Sequence, residues 1–290
     1  MSSPRETQFD KLRLVTVLSA MSLTTQDDPT APGEGLKTQK IPGHWVLARL
    51  GKRVLRPGGM ELTRKMLRAL AIDSSDDVVE FAPGMGVTAR RTLQVNPASY
   101  TAIERDEAAA KTVRGYLING NQKCIVGNAS ETGLCSESAT VVYGEAMLTM
   151  QPNETKHAIV REAFRLLKPR GRYGIHEMCF VAEDLKDAEK SATAKDLTGV
   201  VHHGVSPLTI AEWRELLVGE GFEIQSVDKA AMSLLELGRL IRDEGLLGTL
   251  RFAKNLLLDS EARPRVLEMR SIFRRNRERL GAVAMTARKQ

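Results

Sequence analysis

Two acids with a glycine turn between them are the groups in this chain best placed to do chemistry. Glu80 ends the run Val78-Val79-Glu80, Pro83, Gly84 and Gly86 follow, and Glu104 lies twenty positions after Gly84. Glycine lets a backbone approach a ligand closely, because no Cβ intervenes and positive φ is accessible. The N–H groups of a helix opening at Val87 favour an anion or a carboxylate. Gly84-Met85-Gly86-Val87-Thr88-Ala89 fits the G-x-G-x-x-G/A pattern of dinucleotide sites, with Glu104 where a ribose-binding acid belongs. Glu80 points to a different ligand, since a carboxylate repels a pyrophosphate and attracts an ammonium. A ligand with adenosine at one end and methionine at the other satisfies both acids. Glu80 then takes the amine and Glu104 the ribose hydroxyls.

The surrounding pattern supplies the frame for these residues. Apolar, β-branched runs predict strands near 77–82, 99–105, 122–127, 139–145 and 172–179. A helix is expected over about 154–168, with Val160, Ala163, Phe164 and Leu167 on one face and Pro169 stopping it. Alternating strands and helices imply a parallel sheet covered on both faces. Thr209 and Glu212 form a capping-box pattern for a helix over 210–220 that Gly221 ends. A sixth strand follows at 223–227 and a seventh at 281–286. Before the first strand, two helical segments between 41 and 70 flank the breaker Arg56-Pro57-Gly58-Gly59. Residues 1–40 read as a flexible arm with one short amphipathic helix at 8–22, and 41–290 as the folded domain. Residues 233–280 carry helical periodicity and no strand signal. Residues 251–279 hold nine Lys/Arg against four Asp/Glu, so most of the net charge of +6 lies in that one insertion.

In this order the motifs resemble those of the class I S-adenosylmethionine-dependent methyltransferases, in the small-molecule, type 11 group. The resemblance runs from about Gly59 to Val227 and returns at the C-terminal strand. Val78-Val79-Glu80-Phe81-Ala82-Pro83-Gly84-Met85-Gly86 resembles the cofactor motif, and Thr101 to Asp106 the second strand with its ribose acid. Ile125 to Ala129 resembles the third strand and adenine-side loop, and Val141 to Leu148 the fourth strand with its following loop. Glu162 to Gly174 resembles the helix, turn and fifth strand. Asn128 stands where many relatives have Asp, and Ser138-Ala139-Thr140 where many have Phe-Asp.

The resemblance implies a Rossmann-like, seven-stranded, mostly parallel sheet with an antiparallel last strand and a helical insertion before it. It implies S-adenosylmethionine as cofactor and a set of cofactor contacts: Gly59, Glu80, Ala82, Pro83, Gly84, Gly86, Glu104, Arg105, Asn128, Ala129, Tyr143, Gly144 and Glu145. A nicotinamide-dependent reductase and a non-catalytic cofactor-binding protein are the alternatives, and Glu80 with the later motifs counts against the first.

Methyl transfer forces no particular catalytic residue, since alignment and a dry site supply much of the acceleration. Candidates for work on the acceptor are Tyr143, after the fourth strand, and the loop pair His202-His203, since a neutral imidazole takes a proton. His176 and Glu177 share a strand, where alternation sends one of the two into the core. His44-Trp45 is read as a core anchor or a lid. The insertion is read as a cap that shapes the acceptor pocket. An anionic or lipid-like small molecule, and a weak contact with a membrane surface, are the partners its charge suggests. With 4% aromatic residues and no recognition motif, no specific nucleic-acid partner is expected. Cys124, Cys135 and Cys179 show no metal spacing and fit a reducing, cytoplasmic setting. No apolar run approaches the roughly 20 residues of a membrane span.

Overall fold

Strand β1 (Asp77–Phe81) is short, β-branched and buried along most of its length, as a central parallel strand must be. In this computed structural model, which describes residues 41–290, it pairs in parallel with β2 (Ser99–Glu104) on one side and β4 (Ala139–Glu145) on the other. The sheet runs β3 (Gln122–Val126), β2, β1, β4, β5 (Leu167–Phe180), β8 (Leu280–Lys289), β7 (Phe222–Ala231). A two-residue strand, β6 (Leu208–Thr209), adds to β5. Strand β8 is antiparallel to both β5 and β7. The sheet is thus the expected seven strands plus β6. The expected arm at 1–40, with its helix at 8–22, lies outside the described residues.

Helices α1 (Gly43–Arg49) and α2 (Gly59–Leu70) flank the Arg56–Gly59 breaker as the sequence implies. Helix α3 (Val87–Leu93) follows the glycine turn, and α4 (Glu107–Arg114) is capped by Asp106, which accepts from the Ala109 N–H at 2.9 Å. Helix α5 (Asn153–Leu166) ends two residues earlier than predicted. Leu167 is already extended (ψ 136°) and opens β5, so the turn toward Pro169 belongs to a bulged strand start. Helix α6 (Asp187–Val201) precedes β6. On α7 (Ile210–Gly219) the capping box forms in both directions: the Glu212 N–H donates to Thr209 at 3.2 Å, and the Thr209 N–H to Glu212 at 2.7 Å. The insertion is helical throughout, as α8 (Leu237–Leu258), broken at Gly245 (φ 75°), and α9 (Ala262–Arg275).

Three apolar clusters follow from this layout. One face of the sheet, through Val142, Phe81 and Ile175, packs on α5 and α7 through Val160, Ala163 and Trp213. The other, through Val78, Val141 and Ala284, packs on α2 and α4 through Leu62, Met66 and Val113. The third joins α1, α6, α8 and α9 through Leu47, Leu197, Phe252 and Met269. The cap therefore shares a core with the N-terminal helix. It also holds the breaker segment by polar contacts. Glu244 accepts the N–H groups of Arg53 and Val54 at 3.0 and 2.9 Å, and Asp243 accepts that of Met60 at 2.9 Å.

Candidate functional site

The carboxyl ends of β1, β2 and β4 open into a cavity of about 500 Å³, within the range of small-molecule sites. Gly84 (φ 55°) lines it, and a Cβ there would meet nothing nearer than Trp45 at 3.9 Å. A ligand can therefore lie directly on this backbone. Gly86 (φ 68°) has the opposite task. Its missing Cβ makes room for Tyr116, whose ring would lie 2.7 Å away, and Gly86 does not line the cavity. Glu104 ties the turn to β2. Its Oε2 accepts from Gly84 N at 3.0 Å, and its Oε1 from Arg105 N and Asp106 N at 2.8 and 3.0 Å. Burial raises its carboxyl pKa against these donors.

Glu80 is buried at the cavity wall. Tyr100 and Tyr143 both donate to its Oε2, at 2.5 and 2.7 Å, and Oε1 has no hydrogen-bond partner among the described residues. Burial pushes its carboxyl up to about 7, against the two hydroxyl bonds that favour the charged form. Tyr143 is thereby placed differently from its expected role. It lies inside β4, in register with Glu80, with its hydroxyl between Glu80 and Thr92 (2.7 Å) and no surface on the cavity. Its position supports Glu80 rather than an acceptor.

Glu145 also lines the cavity, and sequence reasoning missed its partners. Thr63 and Thr88 donate to it at 2.5 Å each, His176 Nδ1 lies at 2.8 Å and the Arg56 guanidinium at 3.1 Å. Burial works to raise its carboxyl, but Arg56 and His176 outweigh burial and hold it down at about 2. His176 Nε2 accepts from Gly58 N at 3.2 Å, which puts the imidazole proton on Nδ1, facing Glu145. The neighbouring Glu177 is buried too, on the opposite face, where it accepts from the N–H groups of Met147, Leu148 and Thr149 and fixes the loop after β4. Alternation separates the pair as expected, yet neither reaches solvent, because β5 has packed layers on both sides. A histidine in an apolar strand signals a buried partner; Arg56, in a loop remote in sequence, gave no such signal.

Of the other expected contacts, Ala82, Pro83, Arg105, Asn128 and Ala129 line the cavity. Gly59 and Gly144 do not. Gly59 (φ 61°) packs on Asp243, and Gly144 lies against Phe81 inside the sheet. His203 lines the cavity, whereas His202, which ends α6 in the left-handed region, does not. His44 and Trp45 both line it, their ring centroids 4.6 Å apart. Burial, then His203 and Arg105, lower the His44 pKa to about 4, so its ring is neutral at pH 7. Its Nδ1 is enclosed and has no partner among the described residues. A second cavity of about 70 Å³ shares His44, Leu55, Ala146 and Met150 with the first, and α9 contributes Met269 and Phe273 to it. Arg270, Arg274, Arg275 and Arg277 line neither cavity, and Arg270 and Arg274 lie 3.6 and 3.5 Å from Glu236. Among the described residues no group of three or more His, Cys, Asp and Glu forms a metal site, and no helix is long and apolar enough to cross a membrane.

Comparison with known proteins places this geometry. Residues 79–175 match the methyltransferase domain family. An uncharacterized protein of Haemophilus influenzae is 32% identical over 251 residues, covering 85% of this chain and 98% of its own. Among solved structures, a putative sarcosine dimethylglycine methyltransferase from Galdieria sulphuraria matches with a TM-score of 0.64 at 15% identity, over 80% of this chain and 84% of that one. Geranyl diphosphate C-methyltransferase from Streptomyces coelicolor, solved with S-adenosyl-L-homocysteine, matches with a TM-score of 0.58 at 14% identity, over 80% of this chain and 76% of that one. These two structures share the fold. With the matched domain lying on the glycine turn, Glu104 and the strands that carry them, the chain belongs to the class I S-adenosylmethionine-dependent methyltransferases.

Proposed function

We propose that the large cavity holds S-adenosylmethionine and that the enzyme methylates a small-molecule acceptor. The observation that carries this reading is the pairing of Gly84, bare toward the cavity, with a Glu80 oxygen that has no hydrogen-bond partner among the described residues. In this reading Glu80 receives the methionine ammonium and the Gly84 turn its carboxylate end. Glu104 receives the ribose, and Asn128 with Ala129 the adenine. Asn128 keeps an amide oxygen able to accept from an amino group, where relatives often use a carboxylate. Bound there, the cofactor supplies an electrophilic methyl group on a sulfonium.

The chain's own residues then do three things. Glu80, poised near 7, gives up its proton to face a cation, and Tyr100 and Tyr143 stabilise the resulting carboxylate. Trp45 and Met85 line the cavity beside the turn and exclude water, so charge dispersal proceeds in a dry site. Glu177 fixes Met147 to Thr149, the loop between the two cavities, and so sets the approach of the acceptor. The neutral, apolar second cavity favours a small molecule over a polyanion.

Calorimetry tests the cofactor. S-adenosylhomocysteine should bind, with nicotinamide dinucleotides much weaker. Gly84→Val should abolish binding while the circular dichroism spectrum stays native, because a β-branched residue disfavours positive φ and its side chain fills the cradle. Normal binding by Gly84→Val would overturn the assignment.

A further inference from the structure

The second cavity has the walls of a binding site, and beside it lies one polar atom that no described residue satisfies. Its lining is almost wholly apolar, and four methionines contribute: Met150, Met178, Met232 and Met269. They come from the loop after β4, from β5, from just past β7 and from α9, so four separate parts of the chain converge on one small space. Methionine is flexible and polarizable and adapts to the shape of what it contacts. The exceptions in this lining are Thr149, whose hydroxyl is engaged with Glu177 at 2.7 Å, and His44. His44 lies in the wall common to both cavities, and its Nδ1 is enclosed without a partner among the described residues. An enclosed polar atom left unpaired is costly, and native proteins rarely keep one without a use. In the neutral ring one nitrogen donates and the other accepts. Placing the hydrogen on Nε2, the nitrogen that is not enclosed and orphaned, leaves Nδ1 as an acceptor.

We infer that this cavity takes the apolar body of the methyl acceptor and that His44 Nδ1 accepts a hydrogen bond from the acceptor's O–H or N–H group. The inference deepens the cofactor reading and rests on it for the identity of the neighbouring cavity. The small cavity is about half the size of one that holds a benzene ring. A single ring therefore enters only if the methionine ends move or if it reaches across the shared wall at Ala146 and Met150, and the same movement must uncover Nδ1, which is closed off in this structure. The acceptor's polar atom then lies at that wall, beside the cavity assigned to the methyl donor. This arrangement specifies a substrate class: a compact apolar molecule with one donor-bearing nucleophile. It also separates the acceptor from the cap's positive charge, since the cap residues that reach the cavity are Leu234, Met269 and Phe273.

The test uses two probes that differ in one group: p-cresol, a single ring with one hydroxyl, and toluene, which lacks it. The full chain, with methionine methyl groups and histidine nitrogens isotopically labelled, is titrated with each by NMR, with and without S-adenosylhomocysteine. Both probes should shift the methyl signals of Met178, Met232 and Met269 saturably. Only p-cresol should shift the His44 Nδ1 signal. His44→Phe should weaken p-cresol binding by about tenfold, the order expected for one hydrogen bond, and leave toluene within about twofold. Should that variant fail to fold, the Nδ1 signal of the parent protein decides alone. No saturable methyl shift with either probe would overturn the cavity's role. Equal effects of both probes on His44 would overturn the polar anchor. S-adenosylhomocysteine affinity, measured on the same sample, reports on the cofactor reading independently, so failure of one is not mistaken for failure of the other.

Discussion

Glu80 and Glu145 lie near the carboxyl ends of neighbouring strands, line the same cavity and are both buried, yet their carboxyls shift in opposite directions. Glu80 is pushed up to about 7 and Glu145 held at about 2. Burial acts on both in the same direction. The difference lies in what surrounds them. Glu80 meets two neutral hydroxyls, whereas Glu145 meets the Arg56 guanidinium and a histidine N–H besides two threonines. A buried acid is thus available to a cationic ligand only when no cation of the protein has already claimed it. On that criterion we propose that Glu80 is the acid a cationic ligand meets, while Glu145 is held by the protein's own Arg56 and His176.

The comparison breaks most visibly at Arg56. Arg56→Met removes the cation and leaves a buried carboxylate short of compensation, which costs about 3–5 kcal/mol when such a pair is broken. Urea unfolding should register a loss of that size. A loss below about 1 kcal/mol would mean that His176 compensates Glu145 by itself.

Acid and base titration of stability sharpens it next. The Glu145 pKa is depressed, so its contribution is complete above the ordinary value of 4.5 and is lost as pH falls toward 2. That of Glu80 is raised, so its contribution is complete below 4.5 and is lost as pH rises through 7. Each contribution is on the order of 3 kcal/mol. Glu80→Gln should flatten the stability curve between pH 4.5 and 7, and Glu145→Gln should flatten it between 2 and 4.5. If both variants act in the same window, the two sites are not distinct.

The smallest expected effect concerns the cofactor. Glu80→Gln should weaken S-adenosylhomocysteine binding by about 1.5–3 kcal/mol, the range for hydrogen bonds to a charged group. In the parent protein, affinity should fall as pH drops below 7, because a protonated Glu80 must lose its proton to meet an ammonium. The variant should lack that dependence in calorimetry. Unchanged affinity would move the ammonium elsewhere, with Glu145 the next acid on the cavity.

What the sequence made legible is what local chemistry determines. The β-branched runs placed the central strands closely, the glycine turn placed the cavity, and Thr209 with Glu212 placed a helix start to the residue. Gly84 and Gly86 looked alike in sequence, but one faces the cavity and the other Tyr116. Only the packing of Tyr116, just past α4, separates them. In sequence Tyr143 stands near a strand end, a position that suggests contact with the cofactor or the acceptor. It is internal to β4, and its register with Glu80 turns its hydroxyl inward. The Arg56, Glu145 and His176 group was not legible at all, since its members come from a loop, β4 and β5 and meet only once the sheet has closed. The second cavity is assembled from still more distant pieces.

The placement of β8 between β5 and β7 bears on how the protein is made. During synthesis β5 emerges with β4 available on one side, while its other edge waits for β8. Strand β7 follows, but it reaches the sheet only through β8, which is antiparallel to both. Until residues 280–289 are synthesised, β5 therefore carries an open edge of unpaired backbone groups of the kind other chains can pair with. Closing it requires contacts of long sequence separation, which form slowly. Nascent chains of this protein should accordingly depend on chaperones, and stalled ones should aggregate through β5.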